Sequence, residues 1–342
     1  MALTYDSLES LIARKYMPIL ADNIFVKSHP LTAILKKKSK TFSGREIGLP
    51  LEVTDADSTN NVVWGSPGAA LTPTVSDPFT LALYTPQMLT GTLKINKEEF
   101  LIMNTPEAVK NIVSSKVKNL QKTLEKAFAD AMWTTTTSAW NALTVLLNDT
   151  NSTAVGGITP TATLNTWWKT SMVDAETIRQ TTATAVTESD LYDADSGTYI
   201  PRMLARGVAN AKKQTGETPD LIVVTQYLWD VMEDILDQKK AGNKFHDTMG
   251  AAGFKALDFR GVAVIAEADL PLSGNKASMY FINSDYLYMF FNSGAKFTAG
   301  KFIESDTANT HSMKVHTYGN LVTSNRNAHC VIENVYSDSS YV

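Results

Sequence analysis

The residues able to do chemistry are few, and their spacing argues against each grouping. His311 and His316 stand five apart in a stretch that reads as a strand. Side chains alternate faces along a strand, so the two imidazoles point opposite ways and cannot share a metal ion. The same alternation separates His329 from its neighbour Cys330, which argues against an activated thiolate pair. Glu98-Glu99 and the acids from Asp193 to Asp195 read as solvated turns and helix starts. The sequence holds no GxSxG, HExxH, phosphate-loop or dinucleotide fingerprint. A strand-to-helix turn at Thr225 lacks a nucleophile and base beside it. These observations imply no catalytic residue, no cofactor and no metal.

Two other groups suggest binding. Val62-Val63-Trp64 is an apolar island inside a polar, turn-rich stretch, from Glu52 to Asp77, that carries Asp55, Asp57, Asn60, Asn61, Gly65, Pro67, Gly68 and Pro73. Such punctuation predicts a projecting loop or hairpin, and an indole at its tip needs a partner surface. These three residues are the candidate contact with another subunit. Lys118, Lys122 and Lys126 recur at four-residue steps and so share one helix face.

The balance of the whole chain limits the partners. Its 342 residues suffice for one large core or two modest ones. Charged residues make up only 19%, below the ordinary share for a soluble surface, which leaves much surface free for protein contacts. A formal charge of -4 excludes a generally basic nucleic-acid coat, so DNA contact must be local. The single cysteine excludes an internal disulfide. The first twenty residues carry Asp6, Glu9, Arg14 and Lys15 where a signal peptide needs an apolar core, and no run is long and apolar enough to span a bilayer. We therefore expect no export and no membrane, and we read the Asn151-Ser152-Thr153 sequon as coincidence.

Elements able to position the two groups follow from periodicity. Leu8 to Leu20 reads as a short amphipathic helix interrupted near Pro18, and Arg45 to Val53 as strand. Phe79 to Ile95 alternates well enough for one long strand. A helix is expected from Thr105 to Trp133, capped by Asn104 or Thr105, with Pro106 in its first turn. Val109, Ile112, Val113, Val117, Leu120, Leu124, Phe128 and Met132 form its apolar stripe, and the three lysines lie opposite. Seventeen threonines between Thr134 and Thr187 suggest loops and short strands, with a helix around Trp168 to Arg179. Ile200 to Thr215 reads as a helix closed by Gly216. Asp220 to Thr225 is a buried strand, and Thr225 caps a helix over Gln226 to Gln238. Strands follow at Val262 to Ala266, Met279 to Asn283, Tyr286 to Phe291, Phe297 to Glu304, His311 to Tyr318 and Ala328 to Tyr336.

In this order of elements the chain resembles, over nearly its whole length, major capsid proteins of tailed bacteriophages of the Hong Kong 97 type. The resemblance implies an α+β fold. It divides the chain into an N-terminal arm (1–44), an E-loop (45–84), the P-domain strand and spine helix (85–133), an A-domain (134–274), P-domain strands (275–318), and a closing A-domain strand with tail (319–342). It implies a structural protein, not an enzyme, that assembles in the host bacterial cytoplasm and resides in the virion capsid. The partners implied are further copies in pentamers and hexamers, a portal, packaged double-stranded DNA and a decoration protein. A separate scaffolding protein is expected because little sequence precedes the arm. The spine-helix lysines would face the genome. An encapsulin-type nanocompartment shell is the alternative, and an uncharacterised cytoplasmic enzyme or binding module a further one. Some relatives cross-link an E-loop lysine to a neighbouring subunit. No lysine occurs between Glu52 and Leu93 here, so particles boiled in detergent are expected to run as monomers, and a covalent ladder would contradict this.

Overall fold

The computed structural model describes residues 31, 34–35, 38–52, 79–98, 106–134, 139–149, 153–160, 165–179, 185–238, 256–304 and 309–341. Chain order runs β1 (Lys40–Phe42), β2 (Ile47–Glu52), β3 (Phe79–Tyr84), β4 (Gln87–Asn96) and the long helix α1 (Pro106–Trp133). A short helix α2 (Leu143–Leu146), β5 (Ser171–Asp174), and the short helices α3 (Ala175–Ile178) and α4 (Glu188–Tyr192) come next. Then follow α5 (Ile200–Thr215), β6 (Leu221–Val224), α6 (Gln226–Gln238), β7 (Leu257–Phe259) and β8 (Val262–Ala266). The tail is β9 (Lys276–Ile282), β10 (Leu287–Asn292), β11 (Thr298–Ala299), β12 (Ile303–Glu304), β13 (Thr310–Thr323), a 3-10 turn (Arg326–Ala328) and β14 (Cys330–Tyr336).

These strands form two larger sheets and a ribbon. One six-stranded sheet is built around β13, which pairs with β10, β11, β12 and β4, while β1 lies parallel to β10. The other six-stranded sheet runs in the order β5-β14-β9-β6-β8-β7. The ribbon is β2 antiparallel to β3. In the second sheet β6 is buried at every position, Leu221 through Val224, as expected for a strand covered on both faces. The Thr225 hydroxyl oxygen accepts from the Leu228 amide at 3.3 Å and starts α6, and Gly216 closes α5 in the left-handed region at φ 78°.

The structure modifies several expectations. The long strand expected from Phe79 to Ile95 breaks at Thr85-Pro86. Proline has no N–H to donate, and the Thr85 carbonyl instead accepts from the Asn320 side-chain amide at 2.7 Å. No long helix covers Trp168 to Arg179; Ser171–Asp174 is a strand parallel to β14, and only one helical turn follows it. Pairing with β14 overrides the local helical signal. The segment Phe297 to Glu304 divides into two-residue pieces around Gly300, with Phe297 at φ 51°. The boundary drawn before 275 put the strand Lys276–Ile282 with the sheet of β13, but β9 pairs with β6 and β14 in the other sheet. The boundary at 318/319 falls inside the continuous 14-residue β13. Nothing local marks which sheet a short apolar strand will join. The expected helix at Leu8 to Leu20 and the caps Asn104 and Thr105 lie outside the described residues.

Candidate assembly surfaces

The ribbon has two faces of different character. Ile47, Leu51, Ala82 and Tyr84 are buried on one side. On the other side Phe79, Leu81 and Leu83 are 65%, 52% and 44% exposed, opposite Glu52, Pro50 and Gly48. Burial of one such side chain is worth about 1.5–3 kcal/mol, so an exposed apolar row of this kind favours association. The base of the ribbon is held firmly. Tyr84 donates its hydroxyl to the Thr323 carbonyl at 2.8 Å, and the Leu83 amide donates to the Gly156 carbonyl at 2.9 Å. Gly156 sits at φ 61°, and a β-carbon there would come within 3.0 Å of Ala82 and of the Tyr84 ring. The far end of the ribbon leads into residues 53–78. Val62, Val63 and Trp64 fall in that stretch and lie outside the described residues.

Helix α1 separates its faces as the spacing predicts. Val113, Val117, Leu120, Leu124, Phe128 and Met132 are buried, whereas Lys118, Lys122 and Lys126 are exposed. Gly91 of β4 permits this close packing, because a β-carbon there would lie 2.7 Å from a Leu120 methyl. The basic row is therefore a real surface stripe, about 12 Å long at 1.5 Å per residue.

No family model matches the sequence, and no curated protein matches it. Solved structures do match. The chain is similar to a chain of the cyanophage A-1(L) capsid asymmetric unit at a TM-score of 0.63 and 15% identity, over 97% of this chain and 99% of that one. A chain from Mycobacterium phage Bobi matches at a TM-score of 0.53 and 11% identity, over 99% and 100%. The holo-SrpI encapsulin complex from Synechococcus elongatus PCC 7942 matches at a TM-score of 0.54 and 11% identity, over 89% and 87%. The chain has the Hong Kong 97-type capsid fold.

Within this capsid fold the polar groups that sequence reasoning considered for chemistry have structural partners. His329 is fully buried; its Nδ1 accepts from the Asn283 amide at 3.2 Å, which leaves the proton on Nε2, 3.4 Å from the Thr323 hydroxyl. The Cys330 thiol is buried, and burial pushes its pKa up to about 12, far from a reactive thiolate. His316 Nδ1 lies 3.0 Å from the Thr90 hydroxyl on the outer face of the sheet. His311 is buried on the opposite face. Among the described residues no three His, Cys, Asp or Glu side chains gather where a metal could be held. No helix among them is long and apolar enough to cross a membrane.

Sequence reasoning missed the most consequential polar group of the capsid fold, Arg326. It is fully buried, with Nε donating to the Leu146 carbonyl at 2.9 Å and Nη1 to the Trp168 carbonyl at 2.8 Å. Nη2 donates to the Asn148 carbonyl at 2.5 Å and to its side-chain oxygen at 2.8 Å. Desolvation lowers the guanidinium pKa to about 10, and it stays protonated at neutral pH. This planar fork gathers the ends of α2 and of the Trp168 turn beneath the start of β14. All four acceptors are neutral, so no charge pattern in the sequence signals the cluster.

His329 makes the folded subunit sensitive to acid. Burial first, and then the nearby Arg326 cation, lower its pKa to about 3, well below the ordinary imidazole value of about 6.5. Between those values the unfolded chain binds a proton that the folded one does not, so stability is complete above about pH 6.5 and falls as pH drops. The loss is about 1.4 kcal/mol per pH unit. Urea unfolding of the subunit at a series of pH values from 4 to 7 is expected to show this slope. The variant His329→Gln should lose one proton's worth of it, and an unchanged slope would contradict the assignment.

Proposed function

We propose that the chain is the major capsid protein of a tailed phage, closing as pentamers and hexamers into an icosahedral shell around double-stranded DNA. The observation that carries this reading is near-complete two-way coverage by a cyanophage capsid subunit, joined to a ribbon that leaves an apolar row in solvent. In this reading β2 and β3 are the base of the E-loop, α1 is the spine helix and the β6 sheet belongs to the A-domain. Residues 62–64 at the loop tip bind a neighbouring subunit. Each contact is modest, and the shell is held by many contacts made at once in closed symmetry. Its role is structural, its place is the virion, and assembly occurs in the host cytoplasm with a scaffolding protein and a portal.

Light scattering on the purified protein tests the reading. A particle of many megadaltons in equilibrium with capsomers is expected, and a 37.4 kDa species at all concentrations would overturn it. The encapsulin alternative keeps the shell but changes the contents, since that fold also matches an encapsulin. Native particles filled with double-stranded DNA support the phage reading, and folded enzyme cargo supports the other.

The basic row of α1 has a place in the phage reading. Lys118, Lys122 and Lys126 would face the packaged genome, where counterion release makes each phosphate contact weak alone but additive over the shell and dependent on salt. Changing all three to Glu is expected to leave empty-shell assembly intact and to lower DNA retention, most clearly at low salt. Equal DNA content in wild-type and variant particles would make the row an ordinary solvated helix face.

A further inference from the structure

The chain crosses between the two large sheets by short connections at residues 283–286, from β9 to β10, and at residues 324–329, from β13 to β14. The two crossings touch. The Asn283 amide donates to His329 Nδ1 at 3.2 Å, and the Ser324 amide donates to the Tyr286 carbonyl at 2.9 Å. Arg326 holds the second crossing from within, through its buried fork of hydrogen bonds. Two adjacent crossovers form an axis about which one sheet can swing against the other, because a few loop dihedral angles suffice for the change.

The first crossing is held by charged groups nearer the surface. Asn283 and Ser284 are buried, and acids from the loop before β6 bind both of them. Asn283 Nδ2 donates to Glu217 Oε2 at 3.2 Å; the Ser284 amide donates to Asp220 Oδ1 at 2.8 Å and its hydroxyl to Asp220 Oδ2. Asp285, on the turn itself, adds an exposed carboxylate. Three carboxylates therefore lie on or beside one short turn, and their mutual repulsion opposes it.

Lys38 supplies the compensating charge. Its Nζ donates to Ser284 Oγ and to Asp285 Oδ1, each at 2.6 Å, and lies 3.9 Å from Asp220 Oδ2. It stands just before β1, which runs parallel to β10, and just after Leu31, Ile34 and Leu35, which are buried in the core. We propose that Lys38, carried on the segment that leads into β1, is a latch: its ammonium, seated among Ser284, Asp220 and Asp285, fixes the angle between the two sheets, and its withdrawal frees the crossing to bend. Lys38, Asp220 and Asp285 are all partly exposed, so each ion pair is weak alone and sensitive to salt. Such a contact can be made and broken without unfolding the subunit, whereas the buried Arg326 fork cannot. The latch acts within one subunit and needs no neighbour.

Spin labels on the helix that covers each sheet read the angle directly. Helix α1 packs on β4 through Leu120 and Leu124 against Gly91, and α5 packs on β9 through Gly207 against the Phe281 ring. Asn119→Cys on α1 and Lys212→Cys on α5 place labels at exposed positions, and the native Cys330 is buried. The doubly labelled protein is expected to give one narrow distance distribution, measured in the same assembly state for every variant. Lys38→Met should broaden or shift that distribution and raise amide hydrogen exchange over residues 281–286 by roughly threefold or more, and Lys38→Arg should restore both. Salt at about 1 M should move the protein that keeps Lys38 towards the Lys38→Met behaviour and leave Lys38→Met itself unchanged. An unchanged distance distribution in Lys38→Met overturns the latch even where exchange rises, because Lys38 would then only steady the turn. If Lys38→Met fails to fold, the salt series on the labelled protein decides, and a distribution that is the same at low and high salt overturns the proposal.

Discussion

Replacing Arg326 with Met is expected to destabilise the folded subunit by about 3–5 kcal/mol, the range for breaking a buried charged network. The size follows from what remains behind. Arg326 donates to three backbone carbonyls and to the Asn148 side chain, all drawn together from separate turns. Methionine fills comparable space but leaves the Leu146 and Trp168 carbonyls and the Asn148 side-chain oxygen without this donor, each at a cost of about 1–3 kcal/mol, offset in part by removal of a desolvated cation; the Asn148 carbonyl keeps the Thr170 amide. Arg326→Lys keeps the charge, yet its donors radiate from one atom and cannot span the planar arrangement, so it should recover only part of the loss. Urea unfolding of the subunit at neutral pH measures both variants. A change below about 0.5 kcal/mol in Arg326→Met would mean the cluster is not the anchor described here.

Changing Trp64 to Ala is expected to have the opposite signature, a loss of assembly with the subunit intact. A tryptophan seated in a partner's pocket typically contributes about 2 kcal/mol or more, roughly 30-fold in affinity for one contact. Every subunit in a shell repeats that contact, so a small loss per site raises the concentration needed for closure steeply. Unfolding of the isolated subunit should move by less than about 0.5 kcal/mol, as for an exposed position. Light scattering against concentration separates the two effects. Shells of wild-type stability from the variant would remove Val62, Val63 and Trp64 from the interface.

What the sequence disclosed and what it withheld have physical causes. Helix α1 was legible because its apolar stripe recurs over about seven turns, and α5 because Gly216 ends it in a conformation that favours glycine. The outward lysines were legible for the same reason. Sheet membership was not: β9 and β10 are both short apolar strands separated by a turn, and only long-range pairing sends one to each sheet. The exposed face of the ribbon was hidden as well, since Phe79, Leu81 and Leu83 alternate as core residues would. Arg326 was the hardest case, because its partners are backbone carbonyls more than 150 residues away in the chain, as with Trp168 at 158. Recognition of the fold survived these gaps because element order, unlike pairing, is written along the chain.

Cryo-electron microscopy of the purified wild-type protein tests the central claim most directly. The account predicts closed shells built of pentamers and hexamers, with the β2–β3 ribbon of each subunit lying across its neighbour and its exposed row covered. A protein that remains a stable monomer at high concentration, with Phe79, Leu81 and Leu83 still in solvent, would contradict it.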